Sequence, residues 1–248
     1  MMASLDHRSA DVAVASSSGG KHAMHHMTLR VDGVPRQFEV RQLVIAGWTG
    51  RDREAVEHHV AELEAIGVRR PAAIPCFYRV GAMLLTTAGE VDVVGHESSG
   101  EAEFVLVSAA DGIHVGIGSD HTDRKVETYG ITMSKQMCPK PIGPELWRLA
   151  DVEPHWDALM IRSHVTRSGR RVLYQEGPAA RMLAPRDLLA RFPDSPGVLP
   201  PGTVMFCGTL PAIGEIAGGE RFEIELLDPV RGQRLHHEYG VRSLPIAD

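Results

Sequence analysis

The stretch Ser98-Ser99-Gly100-Glu101-Ala102-Glu103-Phe104-Val105-Leu106-Val107 constrains this chain most. Small residues lead into β-branched and aromatic ones, which predicts a loop entering a strand that suits a pleated, half-buried surface. Glu101 and Glu103 are two apart, so on a strand they point to the same face. Carboxylates that close repel one another unless positive charge separates them, and hard oxygen donors of this kind suit Mg²⁺, Mn²⁺ or Ca²⁺. The same Glu-x-Glu spacing also serves as a solvated sheet face. Glu223 and Glu225 are an internal comparison: they alternate with Phe222, Ile224 and Leu226 and are read as facing solvent.

The rest of the chain is read in order. Residues 1–26 hold few large apolar groups and include Ser16-Ser17-Ser18-Gly19-Gly20, so they are expected to form a mobile arm. His22, His25 and His26 in such an arm lack the neighbours that orient metal-binding rings. Order is expected from near Thr28, with strands Leu29 to Gly33 and Arg36 to Val40 around a turn, then Leu43 to Gly47. A helix is predicted from about Asp52 to Ile66, with Val56, Val60, Leu63 and Ile66 as its apolar stripe. His59 and Glu62, three apart on it, can meet; a carboxylate fixes an imidazole's tautomer and raises its basicity, and the bland alternative is an exposed helix pair. Cys76 to Val80 resumes an extended path, and Leu84 to Thr87 with Val91 to Val94 reads as a hairpin.

Beyond Glu103, the run Gly112 to Gly118 is strand-like and delivers Asp120-His121-Thr122-Asp123-Arg124. Asp120, at a strand end, is a candidate third carboxylate, with His121 and Asp123 close enough to compete. Ala158 to Val165 and Arg170 to Gln175 form a hairpin across Ser168-Gly169, and a short helix is expected near Pro185 to Arg191. Pro200 to Thr209 reads as a turn and buried strand ending in a Gly-Thr loop, and Phe222 to Leu227 as another strand.

A chain of 248 residues with 43% hydrophobic and 23% charged residues can bury a sizeable core. Its formal charge of −6, with scattered basic residues, argues against nucleic acid as a partner. Cys76, Cys138 and Cys207 lie far apart and are odd in number, which excludes a disulfide framework and fits a reducing cytosol. No apolar run reaches the roughly 18 residues of a spanning helix, and residues 1–26 carry no secretory core, so a cytoplasmic protein without membrane attachment is expected. Gly116 and Gly118 make no dinucleotide fingerprint, and there is no Gly-x-Ser-x-Gly elbow, phosphate-binding loop or internal repeat.

Taken in order, these segments resemble the fumarylacetoacetate hydrolase superfamily. The resemblance rests on His59-Val60-Ala61-Glu62, Glu101-Ala102-Glu103, Asp120-His121-Thr122-Asp123-Arg124, Lys135 ahead of Pro141-Ile142-Gly143-Pro144, and Gly202 to Gly214, and it covers most of residues 43–230. Departures mark a divergent branch: Trp48-Thr49-Gly50 replaces an Asn-Tyr segment, the gap from Asp120 to Lys135 is short, and Cys207 stands where threonine is common.

The resemblance implies an α+β, mostly β fold, a mixed β-sandwich or roll with a few peripheral helices, as one catalytic domain over residues 27–248 and a homodimer. It implies Glu101, Glu103 and Asp120 as ligands of Mg²⁺ or Mn²⁺, with Ca²⁺ as a substitute in crystals. It implies a metal-dependent hydrolase of a small 2-oxo acid, cleaving a carbon–carbon bond as in an acylpyruvate, with a metal-stabilised enolate. His59 backed by Glu62 would activate water, Lys135 would stabilise the oxyanion or protonate the leaving carbanion, and Tyr78, Arg124 and Thr209 are candidates for the substrate carboxylate. A related decarboxylase, tautomerase or dehydratase, and a non-catalytic ligand-binding protein on the same fold, are the alternatives.

Overall fold

The strand that follows Glu101 runs Ala102–Ala109 and lies inside an eight-stranded mixed sheet. The computed structural model describes residues 25–65 and 70–247. In spatial order the sheet comprises Val34–Val40, His25–Val31, Glu145–Arg148, Gly112–Ser119, Ala102–Ala109, Thr203–Thr209, Gln42–Gly47 and Cys76–Val80. Ala102–Ala109 pairs antiparallel with both neighbours, so Glu103 faces Gly118 on one side and, past a bulge, Thr209 on the other. Its side chains are buried on both faces rather than half-buried: Phe104 and Leu106 enter one apolar cluster, Val105 and Val107 another. Only a strand covered on both sides keeps so continuous an apolar run.

The first face is covered by a five-stranded sheet, Arg170–Pro178, Met160–Arg167, Arg221–Asp228, Gln233–Leu244 and Glu90–Val94. Ile161, Ile224, Leu226 and Leu235 from that sheet pack with Phe104, Leu106, Val115 and Ile117. On the second face the large sheet curls on itself, so that Met27, Leu29 and Phe38 of its outer strands meet Val105, Ile45 and Phe206. The result is the expected mostly β architecture with a few short helices. Two tight turns use paired positive-φ residues, the arrangement a two-residue hairpin needs to match strand twist: Ser168-Gly169, where the sequence places its hairpin, and Asp32-Gly33, expected as the end of a strand but forming the turn itself, so that the strands are His25–Val31 and Val34–Val40.

Four expectations change. Leu85–Thr86 and Glu90–Val94 do not pair as a hairpin: the first runs parallel to Lys140–Pro141, the second parallel to Gln233–Leu244. Alternation reports which face is buried, not which strand lies alongside. The first strand starts at His25 rather than near Thr28, and His25 Nε2 lies 2.9 Å from the Leu85 carbonyl; residues 1–24 of the expected arm lie outside the described residues. Glu225 is not solvent-facing but 8% exposed against Arg234, at 2.9 Å. The helix runs Arg53–Ala65, with Val60 buried, and Ile66 of the expected stripe lies outside the described residues.

Phe104 is fully buried and meets Trp156 edge-on at 4.8 Å between ring centroids. Phe104→Ala should lower unfolding free energy by about 3–5 kcal/mol, read as a reduced denaturant midpoint at unchanged slope.

Candidate metal centre

The paired carboxylates stand where the two long central strands begin and end. Gly112–Ser119 finishes one residue before Asp120, and the Asp120 amide donates to the Glu101 carbonyl at 3.0 Å, so the backbone itself joins the Glu-x-Glu segment to the third acid. A ribbon of Thr122–Asp123 against Ser98–Ser99 then turns the chain away. Oxygen atoms of Glu101, Glu103 and Asp120 converge within 4.8 Å of one another.

His121 and Asp123 are excluded from this cluster by other duties. The buried His121 ring lies 3.0 Å from both Tyr239 Oη and Ser98 Oγ, and burial together with Lys140 and Arg124 lowers its pKa to about 3, keeping it neutral. Asp123 Oδ1 accepts from the Val126 amide and caps the short helix Arg124–Glu127.

Each carboxylate meets a fixed donor. Arg124 Nη2 lies 3.1 Å from Glu101 Oε1, while its Nη1 pairs with Glu127 at 3.0 Å and its Nε donates to Ser99 Oγ at 2.7 Å. Glu103 Oε2 accepts from the Gly208 amide at 2.7 Å. Asp120 is held by two ammonium groups: Lys135 Nζ donates to Oδ2, and Lys140 Nζ lies 3.1 Å from Oδ1. Although burial opposes it, Lys135 and Lys140 hold Asp120 down at about 2. Glu103 moves the other way: burial first, then the charges of Asp120 and Glu101, push its carboxyl well above the ordinary range. Among the described residues Glu103 forms no ion pair. An all-oxygen donor set, two members sealed from water and one lacking a counter-charge, fits a hard divalent cation.

The other expected residues divide. Lys135 is 7% exposed on the helix Ile131–Met137; burial opposes its charge, but Asp120, Glu101 and Glu103 keep it protonated. Tyr78 sets its ring 5.8 Å from Lys135 Nζ, receives Trp48 Nε1 at 3.4 Å, and has its phenol pushed up to about 12 chiefly by burial. Thr209 Oγ1 is engaged with the Ala102 carbonyl at 2.9 Å and Gln175 Nε2 at 2.7 Å. His59 and Glu62 lie on the helix Arg53–Ala65, but their side chains are outside the described residues.

Three contributors escaped the sequence reading. Gln175 is buried and accepts from the Ala102 amide at 2.9 Å, between the two glutamates, while donating to Thr209 and the Leu210 carbonyl. Gly208 has φ +97°, and a Cβ there would lie 1.8 Å from Thr49 Oγ1. Lys140 is fully buried. Its signal was a lysine enclosed by Pro139 and Pro141 inside an otherwise apolar, punctuated run.

Known structures with this architecture include a yeast fumarylacetoacetate hydrolase family protein, 18% identical over 84% of this chain and 95% of that one, with a TM-score of 0.61. Fumarylpyruvate hydrolase from Pseudomonas aeruginosa, in complex with Mn²⁺ and pyruvate, is 18% identical over 92% and 100%, with a TM-score of 0.60. A 2-keto-3-deoxyarabinonate dehydratase is 16% identical over 84% and 74%, with a TM-score of 0.58. The fold is therefore that of the fumarylacetoacetate hydrolase family. Within that fold the chain belongs to the DUF2848 family, described as a protein of unknown function, whose pattern matches residues 46–239 and so spans the whole acidic centre. No curated protein sequence matches it. No helix among the described residues is long and apolar enough to cross a membrane.

Because Glu103 holds its proton more tightly than an ordinary carboxyl, a cation must displace that proton to use it. Mn²⁺ affinity should therefore fall as pH is lowered through the raised Glu103 range, with proton release on binding. Calorimetry in buffers of different ionisation enthalpy, at acid and neutral pH, measures both. Separately, Gly208→Ala should weaken Mn²⁺ binding by about 10–100-fold, because the added methyl displaces Thr49 and with it the amide that orients Glu103.

Proposed function

We propose that the chain is a divalent-metal-dependent hydrolase that cleaves a carbon–carbon bond in a small 2-oxo acid of the acylpyruvate kind. The observation that carries this reading is the convergence of Glu101, Glu103 and Asp120 within 4.8 Å, beside the buried ammonium of Lys135. Mn²⁺ and pyruvate in the fumarylpyruvate hydrolase of the same fold lend it support.

In this reading the three carboxylates hold Mg²⁺ or Mn²⁺, which when bound supplies Lewis acidity to a chelating 2-oxo carboxylate. His59, oriented by Glu62, takes a proton from water, and the hydroxide attacks the distal carbonyl carbon. The bond between that carbon and the neighbouring methylene breaks, its electron pair passing to the pyruvyl fragment as an enolate. Lys135, kept protonated by the surrounding carboxylates, stabilises that developing charge and returns a proton to the carbon. Arg124, beside Glu101, and Tyr78, beside Lys135, would hold the substrate carboxylate. Thr209, engaged with Gln175 and Ala102, contributes through the shape of its loop.

A second reading keeps the metal and dispenses with attacking water; the dehydratase of the same fold favours it. Acylpyruvates, oxaloacetate and hydroxymuconate-type acids, each assayed with Mg²⁺ and Mn²⁺, distinguish the two. Metal-dependent cleavage of an acylpyruvate that is abolished in His59→Ala, with Mn²⁺ binding intact, is the expected result. Full activity in His59→Ala would move the assignment to the dehydratase class. Glu103→Gln should reduce Mn²⁺ affinity by about 100-fold, and silence of the wild-type protein in the same calorimetry would sink both readings.

A further inference from the structure

Lys140 is an uncommon object: a lysine with no exposed surface, in a residue type that is almost never fully buried unless paired. Its backbone cannot relocate easily. Lys140–Pro141 pairs with Leu85–Thr86, the Ile142 amide donates to the Thr86 carbonyl, and the Gly143 amide donates to the Ile117 carbonyl, both at 2.8 Å. The side chain ends against the His121 carbonyl at 2.5 Å and Asp120 Oδ1 at 3.1 Å. Oδ1 is sealed from water and has that charge beside it but no hydrogen bond.

The two lysines on Asp120 are not equivalent. Lys135 comes from a short helix, keeps 7% of its surface exposed, and covers Oδ2 from the side of the Tyr78 ring. It can withdraw when a cation arrives. Lys140 cannot, because withdrawal would strand an ammonium without solvent. A divalent cation approaching Oδ1 meets an immobile like charge, whereas one approaching Oδ2 replaces a mobile one.

The other two ligands share this pattern. Glu101 has one oxygen facing Arg124, and Glu103 has one oxygen on the Gly208 amide, so each carboxylate retains a single free oxygen. Three single-oxygen ligands suit a small octahedral ion such as Mn²⁺ or Mg²⁺; Ca²⁺ takes six to eight ligands and uses carboxylates bidentately.

We propose that Lys140 is a positioning residue that reserves Asp120 Oδ1, confines Asp120 to one-oxygen ligation, and thereby sets the centre against Ca²⁺. The inference rests on the metal-centre reading above and goes beyond it by assigning cation selectivity to a residue outside the ligand set.

The test is calorimetric titration of the wild-type protein, Lys140→Met and Lys140→Gln with Mn²⁺, Mg²⁺ and Ca²⁺, folding being checked by circular dichroism. Lys140→Met should shift the Mn²⁺-to-Ca²⁺ affinity ratio toward Ca²⁺ by about tenfold or more, and Lys140→Gln, which keeps a polar group but no charge beside Oδ1, by less. A purely structural lysine would weaken all three ions alike, so an unchanged ratio overturns the proposal. Wild-type protein that binds none of the ions overturns the metal reading with it, and a normal wild-type profile beside an unchanged variant ratio overturns Lys140's role alone. Should the variants fail to fold, a crystal structure of the wild-type protein with Mn²⁺ decides. Asp120 ligating through one oxygen, with Lys140 still on the other, supports the proposal; bidentate Asp120 or a displaced Lys140 overturns it.

Discussion

The arrangement of this protein depends on one buried electrostatic contact, the Asp120 carboxylate between the ammonium groups of Lys135 and Lys140. A carboxylate without access to water is strongly disfavoured as an ion, and a second one nearby makes matters worse. The two lysines reverse that balance for Asp120, which remains ionised, while Glu103, lacking an ion-pair partner among the described residues, has its ionised form disfavoured. The centre therefore holds one acid prepared to bind a cation and one whose ionisation a cation would complete. Removing a single member of such a buried set leaves charges stranded and typically costs about 3–5 kcal/mol, so the residues that build the centre also bear on the stability of the fold.

The sheets make this contact possible. Glu103 comes from the start of a strand covered on both faces, Asp120 from the residue after its antiparallel partner, and Lys140 from a two-residue strand that pairs with Leu85–Thr86 far earlier in the chain. Gln175, from the second sheet, reaches across to the amide between the two glutamates and to the loop carrying Thr209. The centre is thus tied to both sheets. Its carboxylates are held by Gly208 and Lys140 from strands and by Arg124 and Lys135 from short helices, the kind of fixed support that metal sites require.

Much of this was legible in the chain. Alternation and apolar runs located most of the strands, because side-chain period follows directly from backbone geometry. Ser168-Gly169 announced its hairpin through residues that tolerate positive φ, whereas Asp32-Gly33 reads as the end of a strand and is the turn. Glu101 and Glu103 pair by their spacing, Asp120 stands beside His121 and Asp123 as a candidate third carboxylate until the family resemblance selects it, and the oxygens of the three lie within 4.8 Å of one another. The pairing of Leu85–Thr86 and Glu90–Val94 was not legible, since each finds its partner over fifty residues away and nothing local names it. Glu225 was misread for the same reason: its Arg234 lies on the neighbouring strand.

The sequence by itself determined the strand-rich character, the Ser168-Gly169 turn and the candidate acidic residues, all properties set within a few residues by backbone sterics and side-chain chemistry. Tertiary structure alone decided that both faces of Ala102–Ala109 are covered, that His121 and Asp123 serve elsewhere while Asp120 turns inward, and that Lys140 is buried behind it. The reason is physical: burial and charge pairing are properties of the space between segments, and that space exists only once distant strands have met.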